Sequence, residues 1–122
     1  MELHASGEDY LEAVLVLKKK NASVRSVDVA RHLDFSKPSV SHAVTILRNG
    51  GFLTVDEDGF LNLTEIGREE AERTYEKHRF FTALLVKAGV EPDAAGRDAC
   101  RMEHAISAES FQKLKQAVEK YL

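Results

Sequence analysis

The sequence is poor in cysteine and lacks any long apolar run. A single cysteine, Cys100, excludes an internal disulfide, which fits a reducing compartment and predicts a cytoplasmic protein. No run of about 18 apolar residues is present, so we expect no segment that spans a membrane. The first residues, MELHASGEDY, have neither a basic leader nor an apolar core, so we expect no export signal. With 122 residues, 43% of them hydrophobic, the chain fits one compact domain or a compact domain with a helical extension.

The charge of the chain is unevenly distributed. The net charge of −3 by itself argues against a nucleic-acid partner. Residues 1–17, however, have a net charge of −4, residues 18–48 of +5 and residues 54–122 of −4. A basic segment between acidic ones favours DNA binding, because neutralised phosphates supply most of the sequence-independent affinity. A solvated helix face is the alternative, and charge alone leaves it open.

The apolar spacing in the first half predicts three helices. GEDYLEAVLVLKKKN predicts an amphipathic helix that begins near Ser6 and ends in the lysine run. SVDVARHL predicts a second helix with Ser26 as its N-cap. SKPSVSHAVTILRNGG predicts a third, in which Pro38 fits the first turn and the two glycines end the helix.

The second half begins with a hairpin signal and continues as helix. FLTV and FLNL are short β-prone runs on either side of the acidic turn at residues 56–59. Thr64 is expected to cap a long helix that ends near Gly89, and two more helices follow. Two helices joined by a short turn and followed by a hairpin predict a winged helix-turn-helix.

In a winged helix-turn-helix, the third helix enters the major groove and its first residues reach the base edges. We therefore predict a surface that binds a palindromic operator in double-stranded DNA, with phosphate contacts from Arg48 and the lysine run. A winged helix that serves protein contacts is the less favoured alternative. The predicted DNA-binding residues are Arg25, Ser36, Lys37, Pro38, Ser39, Ser41, His42 and Arg48.

Metal-ligating atoms occur at three separate places on the predicted helices. Asp9 and Glu12 are three residues apart near the start of the first helix, and His78 lies in the long helix. Cys100, Glu103 and His104 share one face of the fifth helix. Spacing alone leaves metal binding and ordinary packing both open. A mixed oxygen, nitrogen and sulfur set would suit Fe(II), Mn(II), Co(II) or Zn(II) better than Mg(II) or Ca(II).

Several stretches together resemble the diphtheria-toxin-repressor family of metal-dependent transcription repressors, especially its short manganese-transport-regulator branch. They are EDYLEAVLVL, SVDVARHL, FSKPSVSHAVTILRNGGFL, LTEIGREEA, KHRFFTALL and DACRMEHAIS, which together cover essentially the whole chain. The resemblance implies a mainly α-helical protein. It would have an N-terminal winged helix-turn-helix with a β-hairpin wing in residues 1–64. An all-helical metal-binding and dimerisation domain would follow in residues 65–122, without the SH3-like third domain of longer members.

The resemblance also implies a ligand set and a mechanism. The ligands of the family fall on Asp9, Glu12, His78, Glu103 and His104. Cys100 matches the iron-type members instead of the manganese branch, and Thr82 stands where the ancillary iron-type site has an acid. We therefore expect Fe(II) or Mn(II) as the sensed metal, with Zn(II) or Co(II) binding in vitro.

The expected mechanism is repression of metal-uptake genes by a metal-bound homodimer. Ligands from the DNA-binding half and from the helical half would join through the ion and set the spacing of two recognition helices. The C-terminal apolar residues would form the twofold interface. They are Phe80, Phe81, Leu84, Leu85, Phe111, Leu114, Val118 and Leu122.

Two other functions remain as alternatives. The first is a winged-helix regulator that responds to a small organic ligand without a metal, which titration with metal ions would distinguish. The second is a metalloenzyme, which we do not expect. The sequence has no Ser–His or Cys–His pair at catalytic spacing and no phosphate-binding glycine loop. Neither an organic substrate nor a membrane partner is expected.

Overall fold

A computed structural model describes residues 5–121 of the chain. The predicted helices and hairpin are all present in the predicted order, which confirms the mainly α-helical fold class. In chain order, the helices and strands of the described residues are α1 (Ala5–Lys20), α2 (Ser26–Leu33), α3 (Lys37–Asn49), β1 (Leu53–Val55), β2 (Leu61–Leu63), α4 (Glu65–Lys87), α5 (Pro92–Ala105) and α6 (Ala108–Tyr121). Within this described range, no helix has the length and apolar character needed to cross a bilayer.

The chain divides into two compact units. The boundary falls inside α4, between Arg73 and Thr74, so that this helix contributes its first part to one unit and its second part to the other. The predicted division of function after residue 64 stays a prediction.

The first unit is a three-helix core with a small antiparallel hairpin. The helix α1 contacts α2, α3 and β2, and β1 contacts α3. The two strands pair Leu53 with Leu63 and Val55 with Leu61. Leu61 is fully buried, and apolar residues of the three helices and of the loop before α2 are buried as well. The apolar spacing that predicted α1 to α3 therefore marks side chains that form this core: Leu11, Val14, Val29, Val40 and Leu47.

The start of α2 differs from the prediction by one residue. The N-cap is Arg25, with an extended backbone, and the predicted cap, Ser26, is the first helical residue. The main-chain N–H of Arg25 donates to Oδ2 of Asp28 at 2.8 Å. The Asp28 carboxylate, at the third helical position, thus caps the main-chain N–H of Arg25 from inside the helix. The preference for serine as an N-cap residue does not predict this arrangement.

Both ends of α3 are capped, and Pro38 and the two glycines lie where the sequence predicts them. The Ser36 hydroxyl accepts the main-chain N–H of Ser39 at 3.3 Å, and Pro38 lies in the first turn. At the other end, the Gly50 N–H donates to the Ile46 carbonyl at 2.9 Å. Gly51 then adopts a φ of +83°, a conformation that favours glycine and turns the chain into β1.

The wing turn is ordered by one aspartate. Oδ1 of Asp56 accepts the main-chain N–H groups of Asp58 and Phe60, each at 2.9 Å. Gly59 donates its N–H to the Asp56 carbonyl and has a φ of +83°. The turn that joins β1 to β2 is therefore held by its own side chain as well as by its backbone.

The start of α4 packs against the loop before β1. Thr64 caps the helix as predicted, because its hydroxyl oxygen accepts the Gly67 N–H at 3.1 Å while the hydroxyl donates to the Gly51 carbonyl. Gly67 is buried, and a Cβ at this position would lie 1.8 Å from the carbonyl oxygen of Phe52. Only glycine allows the helix to approach the loop this closely.

The second unit contains the rest of α4 together with α5 and α6. Its core is formed by Phe81, Ala99 and Phe111, all at most 2% exposed. The ring of Phe80 meets the rings of Phe81 and Phe111 edge-on, with centroids 5.4 Å apart in each pair. Phe81 and Phe111 thus belong to the interior of this unit, so the predicted dimer surface cannot include them. Leu122, also assigned to that surface, lies outside the described residues.

Two ion or hydrogen-bond contacts join the helices of the second unit. Lys115 on α6 donates to Oε1 of Glu76 on α4 at 2.8 Å, and this hydrogen bond raises the pKa of Lys115 above its ordinary value. Lys77 donates to the Ile106 carbonyl at the end of α5, at 3.2 Å. A cation at this position satisfies a carbonyl that the helix leaves without an internal partner.

Candidate nucleic-acid interface and metal centre

Seven of the eight predicted DNA-binding residues lie on α3 or at its N-cap, and Arg25 is the N-cap of α2. Val40, Val44 and Leu47 are buried against the first unit, which fixes the rotation of the helix about its axis. The other side of α3 faces outward, and every predicted residue is exposed: Arg25, Ser36, Lys37, Pro38, Ser39, Ser41, His42 and Arg48.

Arg25 connects this surface to the wing. Its guanidinium carbon lies 4.5 Å from the centroid of the Phe60 ring, and the two residues form an isolated antiparallel bridge. Such a cation–π contact restricts a long side chain without neutralising its charge. Arg25 therefore presents a positive charge at a defined place beside the hairpin.

The lysine run contributes less to this surface than the sequence suggested. Lys18 donates to Oδ1 of Asn62 on β2 and is partly buried, whereas Lys20 is exposed. A lysine that is bonded to a side chain of the hairpin is not available to a phosphate without losing that contact. The charge count of the basic segment therefore overstates the number of cations that are free for DNA.

Three outward residues of α3 were missed by the sequence prediction, which concentrated on the first turn of the helix. Thr45 and Asn49 follow His42 at helical spacing and lie on the same outer face. Ile46, next to Thr45, is 43% exposed. Continuing the helical periodicity beyond His42 would have identified all three, because the buried residues already defined the inner face.

The second unit brings together most of the predicted metal ligands. The Cys100 sulfur, an oxygen of Glu103 and a ring nitrogen of His104 lie within 4.8 Å of one another, as the spacing on α5 predicted. His78 reaches the same carboxylate from α4, with its Nδ1 3.0 Å from Oε2 of Glu103. Four of the six predicted ligands therefore form one cluster within this unit.

Glu103 is the centre of the cluster, and its burial and hydrogen bonding show whether the cluster suits a metal ion. The residue is only 1% exposed, although it carries a carboxylate. Oε2 faces His78, while Oε1 accepts no hydrogen bond from the described residues. Nε2 of His104 lies 3.5 Å from Oε1. A buried carboxylate oxygen without a donor is costly, and a cation would remove that cost, so the residues fit a metal ion.

The chemistry of the cluster narrows the class of ion. Cys100 is a partly exposed cysteine that forms no disulfide, and its sulfur would add a soft ligand to two imidazoles and a carboxylate. Imidazole and thiolate ligands suit transition metals, whereas Mg(II) and Ca(II) prefer oxygen. The cluster is therefore suited to Fe(II), Co(II) or Zn(II), and its oxygen and nitrogen atoms also accept Mn(II).

The other two predicted ligands lie on α1 in the first unit. Asp9 and Glu12 are three residues apart, both partly exposed, and so share one side of the helix. Tyr10 and Leu11 between them are buried, which fixes the rotation of α1. That Asp9 and Glu12 join the ligands of the second unit stays a prediction.

Two protein-family profiles match the chain, one for each half. The N-terminal DNA binding domain of iron dependent repressors matches residues 2–61. The metal binding and dimerisation domain of iron dependent repressors matches residues 64–121. The order of the two domains is the order that the sequence predicted.

The names of individual relatives agree with these two profiles. Iron-dependent repressor IdeR of Mycobacterium tuberculosis is 34% identical over 114 residues, which are 93% of this chain and 50% of that protein. Transcriptional regulator MntR of Escherichia coli O157:H7 is 30% identical over 114 residues, covering 93% of this chain and 74% of that protein. The crystal structure of IdeR from T. acidophilum superposes with a TM-score of 0.79 at 26% identity, over 92% of this chain and 53% of that one. The chain thus spans about half the length of the IdeR proteins it matches.

Proposed function

Because this chain belongs to the iron-dependent repressor family, we propose that it is a metal-dependent transcriptional repressor that controls metal-uptake genes. The observation that carries the proposal is the buried Glu103 carboxylate, which lies between His78 and His104 and has an oxygen without a hydrogen-bond donor. A protein that only packed its helices would not retain this arrangement at such a cost. The two family profiles connect such a cluster with DNA binding, because they describe a metal-binding domain and a DNA-binding domain in one chain.

The DNA-binding role is supported by the side chains that α3 presents. Ser39, Ser41 and His42 are exposed donors and acceptors that can meet base edges in the major groove. Lys37 and Arg48 lie on the same helix as exposed cations suited to phosphates. We propose that α3 is the recognition helix and that a homodimer presents two copies of it to a palindromic operator.

The proposed metal ligands are those that the sequence predicted. His78, Cys100, Glu103 and His104 supply two nitrogens, a sulfur and a carboxylate from the second unit, and Asp9 and Glu12 supply two more carboxylates from α1. We propose Fe(II) or Mn(II) as the physiological ion, with Zn(II) and Co(II) as ions that bind in vitro. When bound, the ion supplies positive charge that offsets the three carboxylates.

Coupling between metal and DNA follows from the distribution of the ligands. Carboxylates that share one ion repel one another once the ion leaves, and three of the six proposed ligands are carboxylates. We propose that holding these side chains together restricts the DNA-binding half to orientations that fit the operator. DNA and metal then each raise the affinity for the other by the same factor, about 5–150-fold for couplings of this kind.

The proposal is tested by Glu103→Gln, which keeps the size of the side chain but removes its charge. In fluorescence-anisotropy titrations of promoter DNA, wild type should bind about 5–150-fold more tightly when Mn(II) or Co(II) is present. Glu103→Gln should bind equally weakly with and without metal. Glu69→Gln, at an exposed position of α4, is the matched control and should behave as wild type. Full metal dependence in Glu103→Gln would contradict the proposal.

The same proposal assigns no catalytic role to the cluster and places the protein in the cytoplasm. Relatives such as IdeR and MntR are named as a repressor and a transcriptional regulator. A regulator that binds operator DNA must share a compartment with the chromosome. The reducing conditions of that compartment also keep Cys100 reduced.

A further inference from the structure

The outer face of α3 carries an apolar patch that the proposed function leaves unexplained. Ile46 is 43% exposed, and few large apolar side chains among the described residues are as accessible. Its neighbour Thr45 is also exposed. These exposed aliphatic groups lie on a helix that otherwise presents serines, a histidine and cations, the surface that the proposed function assigns to DNA.

The hydroxyl proton of Thr45 is committed within the helix. Its Oγ1 donates to the Ser41 carbonyl, one turn earlier in α3, at 3.0 Å. Thr45 therefore has no proton to donate to a partner, and its γ-methyl group is available for apolar contact. Thr45 and Ile46 thus each offer methyl groups on the exposed side of α3, and we call the two residues the α3 methyl patch.

The α3 methyl patch is continuous with the proposed DNA surface. Thr45 lies one helical turn after His42 on the same outer face, and Ile46 lies two turns after Ser39. A helix placed in the major groove by His42 and Ser39 brings the next turns close to the same groove or its edge. The occupant that the patch meets there is DNA.

We propose that Thr45 and Ile46 recognise the 5-methyl groups of thymines in the major groove of the operator. The thymine methyl is the one apolar group that a base pair presents there, and aliphatic side chains recognise it by contact. The inference rests on the proposed function, and it adds a base preference that the serines and His42 do not specify.

The test removes only the methyl group from the DNA. A duplex is first selected from a random-sequence library by the wild-type protein in the presence of Mn(II) or Co(II). Its thymines are then replaced one at a time by deoxyuridine, which keeps base pairing and lacks the 5-methyl group. At one or more positions, wild-type affinity should fall about fourfold, the effect expected for one buried methyl group.

Matched protein variants assign that loss to the α3 methyl patch. Thr45→Ser keeps the hydroxyl that bonds Ser41 and removes only the methyl, while Ile46→Ala shortens an exposed side chain and should leave the fold intact. With one of these variants, the loss on deoxyuridine substitution should shrink to less than about 1.5-fold, because the contact is already absent. Ile66→Ala, at a 58% exposed position on α4, should retain the full loss.

The outcomes separate this inference from the proposed function. If a duplex is selected but deoxyuridine has no effect, or the same effect in wild type and in both α3 variants, the inference is wrong and the repressor proposal stands. If Ile66→Ala removes the dependence as well, the assignment to α3 is wrong. A selection that enriches no sequence with any metal would overturn both.

Discussion

Gly67 and Gly96 are both helical glycines, but the surrounding atoms give them opposite roles. A Cβ at Gly67 would lie 1.8 Å from the Phe52 carbonyl oxygen, whereas a Cβ at Gly96 would meet no atom within 4 Å. We expect Gly67→Ala to lower the free energy of unfolding by roughly 1–3 kcal/mol, because the loop before β1 must shift. Gly96→Ala should raise it by about 0.5–1 kcal/mol, since alanine favours the helix. Urea denaturation measures both, and equal effects would contradict this account.

Cys100 distinguishes this cluster from one made of oxygen and nitrogen alone. If its sulfur is a ligand, Co(II) bound to wild type should show a thiolate-to-cobalt charge-transfer band in the near ultraviolet. Cys100→Ser should lose that band and bind Co(II) at least about 10-fold more weakly, since even residues outside the ligand set affect metal affinity by about 10–100-fold. Mn(II) affinity should change less, because Mn(II) prefers oxygen. An unchanged cobalt spectrum in Cys100→Ser would exclude sulfur ligation.

At the scale of single residues, the sequence predicts what lies within one helix better than what two helices bring together. The shared face of Cys100, Glu103 and His104 follows from their spacing on α5. The contact between His78 and Glu103 joins residues 25 positions apart, and no local pattern specifies it. The burial of Glu103 likewise depends on the packing of other helices, so only the structure shows that this carboxylate is buried.

The helix α5, which presents three of the ligands, begins at a charged cap. The Glu91 carboxylate accepts the main-chain N–H groups of Asp93 and Ala94, each at 3.1 Å. These hydrogen bonds lower the pKa of Glu91 below its ordinary value of 4.5. The stabilisation is therefore present above pH 4.5 and is lost as the pH falls through the lower pKa of the folded state.

We expect Glu91→Gln to lower the Tm near neutral pH, because glutamine offers an acceptor without the charge that favours a helix N-terminus. The difference in Tm from wild type should narrow as the pH falls below 4.5 and the wild-type carboxylate becomes protonated. Thermal unfolding followed by circular dichroism across this range provides the measurement. A difference that stays constant down to about pH 3 would show that the charge of Glu91 plays no part.

At the scale of helices and strands, apolar periodicity and turn residues were sufficient to predict the order of these elements along the chain. The signals are local: Pro38 in the first turn of α3, Thr64 before α4 and Gly59 in the wing turn each act within a few residues. The one misplaced cap, Ser26 in place of Arg25, arose because two neighbouring residues compete for the position. The Asp28 carboxylate decided that competition.

For the whole molecule, the distribution of charge determines how DNA affinity depends on salt. The chain has a net charge of −3, so any attraction to phosphates must come from local cations such as the exposed Arg48. We expect Arg48→Gln to weaken binding to all DNA sequences alike and to reduce the slope of log K against log salt concentration by about 0.9. Lys113→Gln, on the exposed side of α6, is the matched control and should leave the slope unchanged. Equal slopes for Arg48→Gln and wild type would show that Arg48 does not contact a DNA phosphate.

The cap at the end of α3 also bears on how the protein ages chemically. Asn49 is followed by Gly50, and an asparagine before glycine is prone to deamidation through a succinimide. The succinimide forms when the main-chain nitrogen of the next residue attacks the carbonyl carbon of the asparagine side chain and ammonia leaves. That nitrogen, in Gly50, donates its hydrogen to the Ile46 carbonyl at 2.9 Å, so an intact α3 withholds it from the reaction. Isoaspartate should therefore accumulate at position 49 only in molecules whose third helix has frayed or unfolded. Mass spectrometry of a stored sample would then record how often that helix opens.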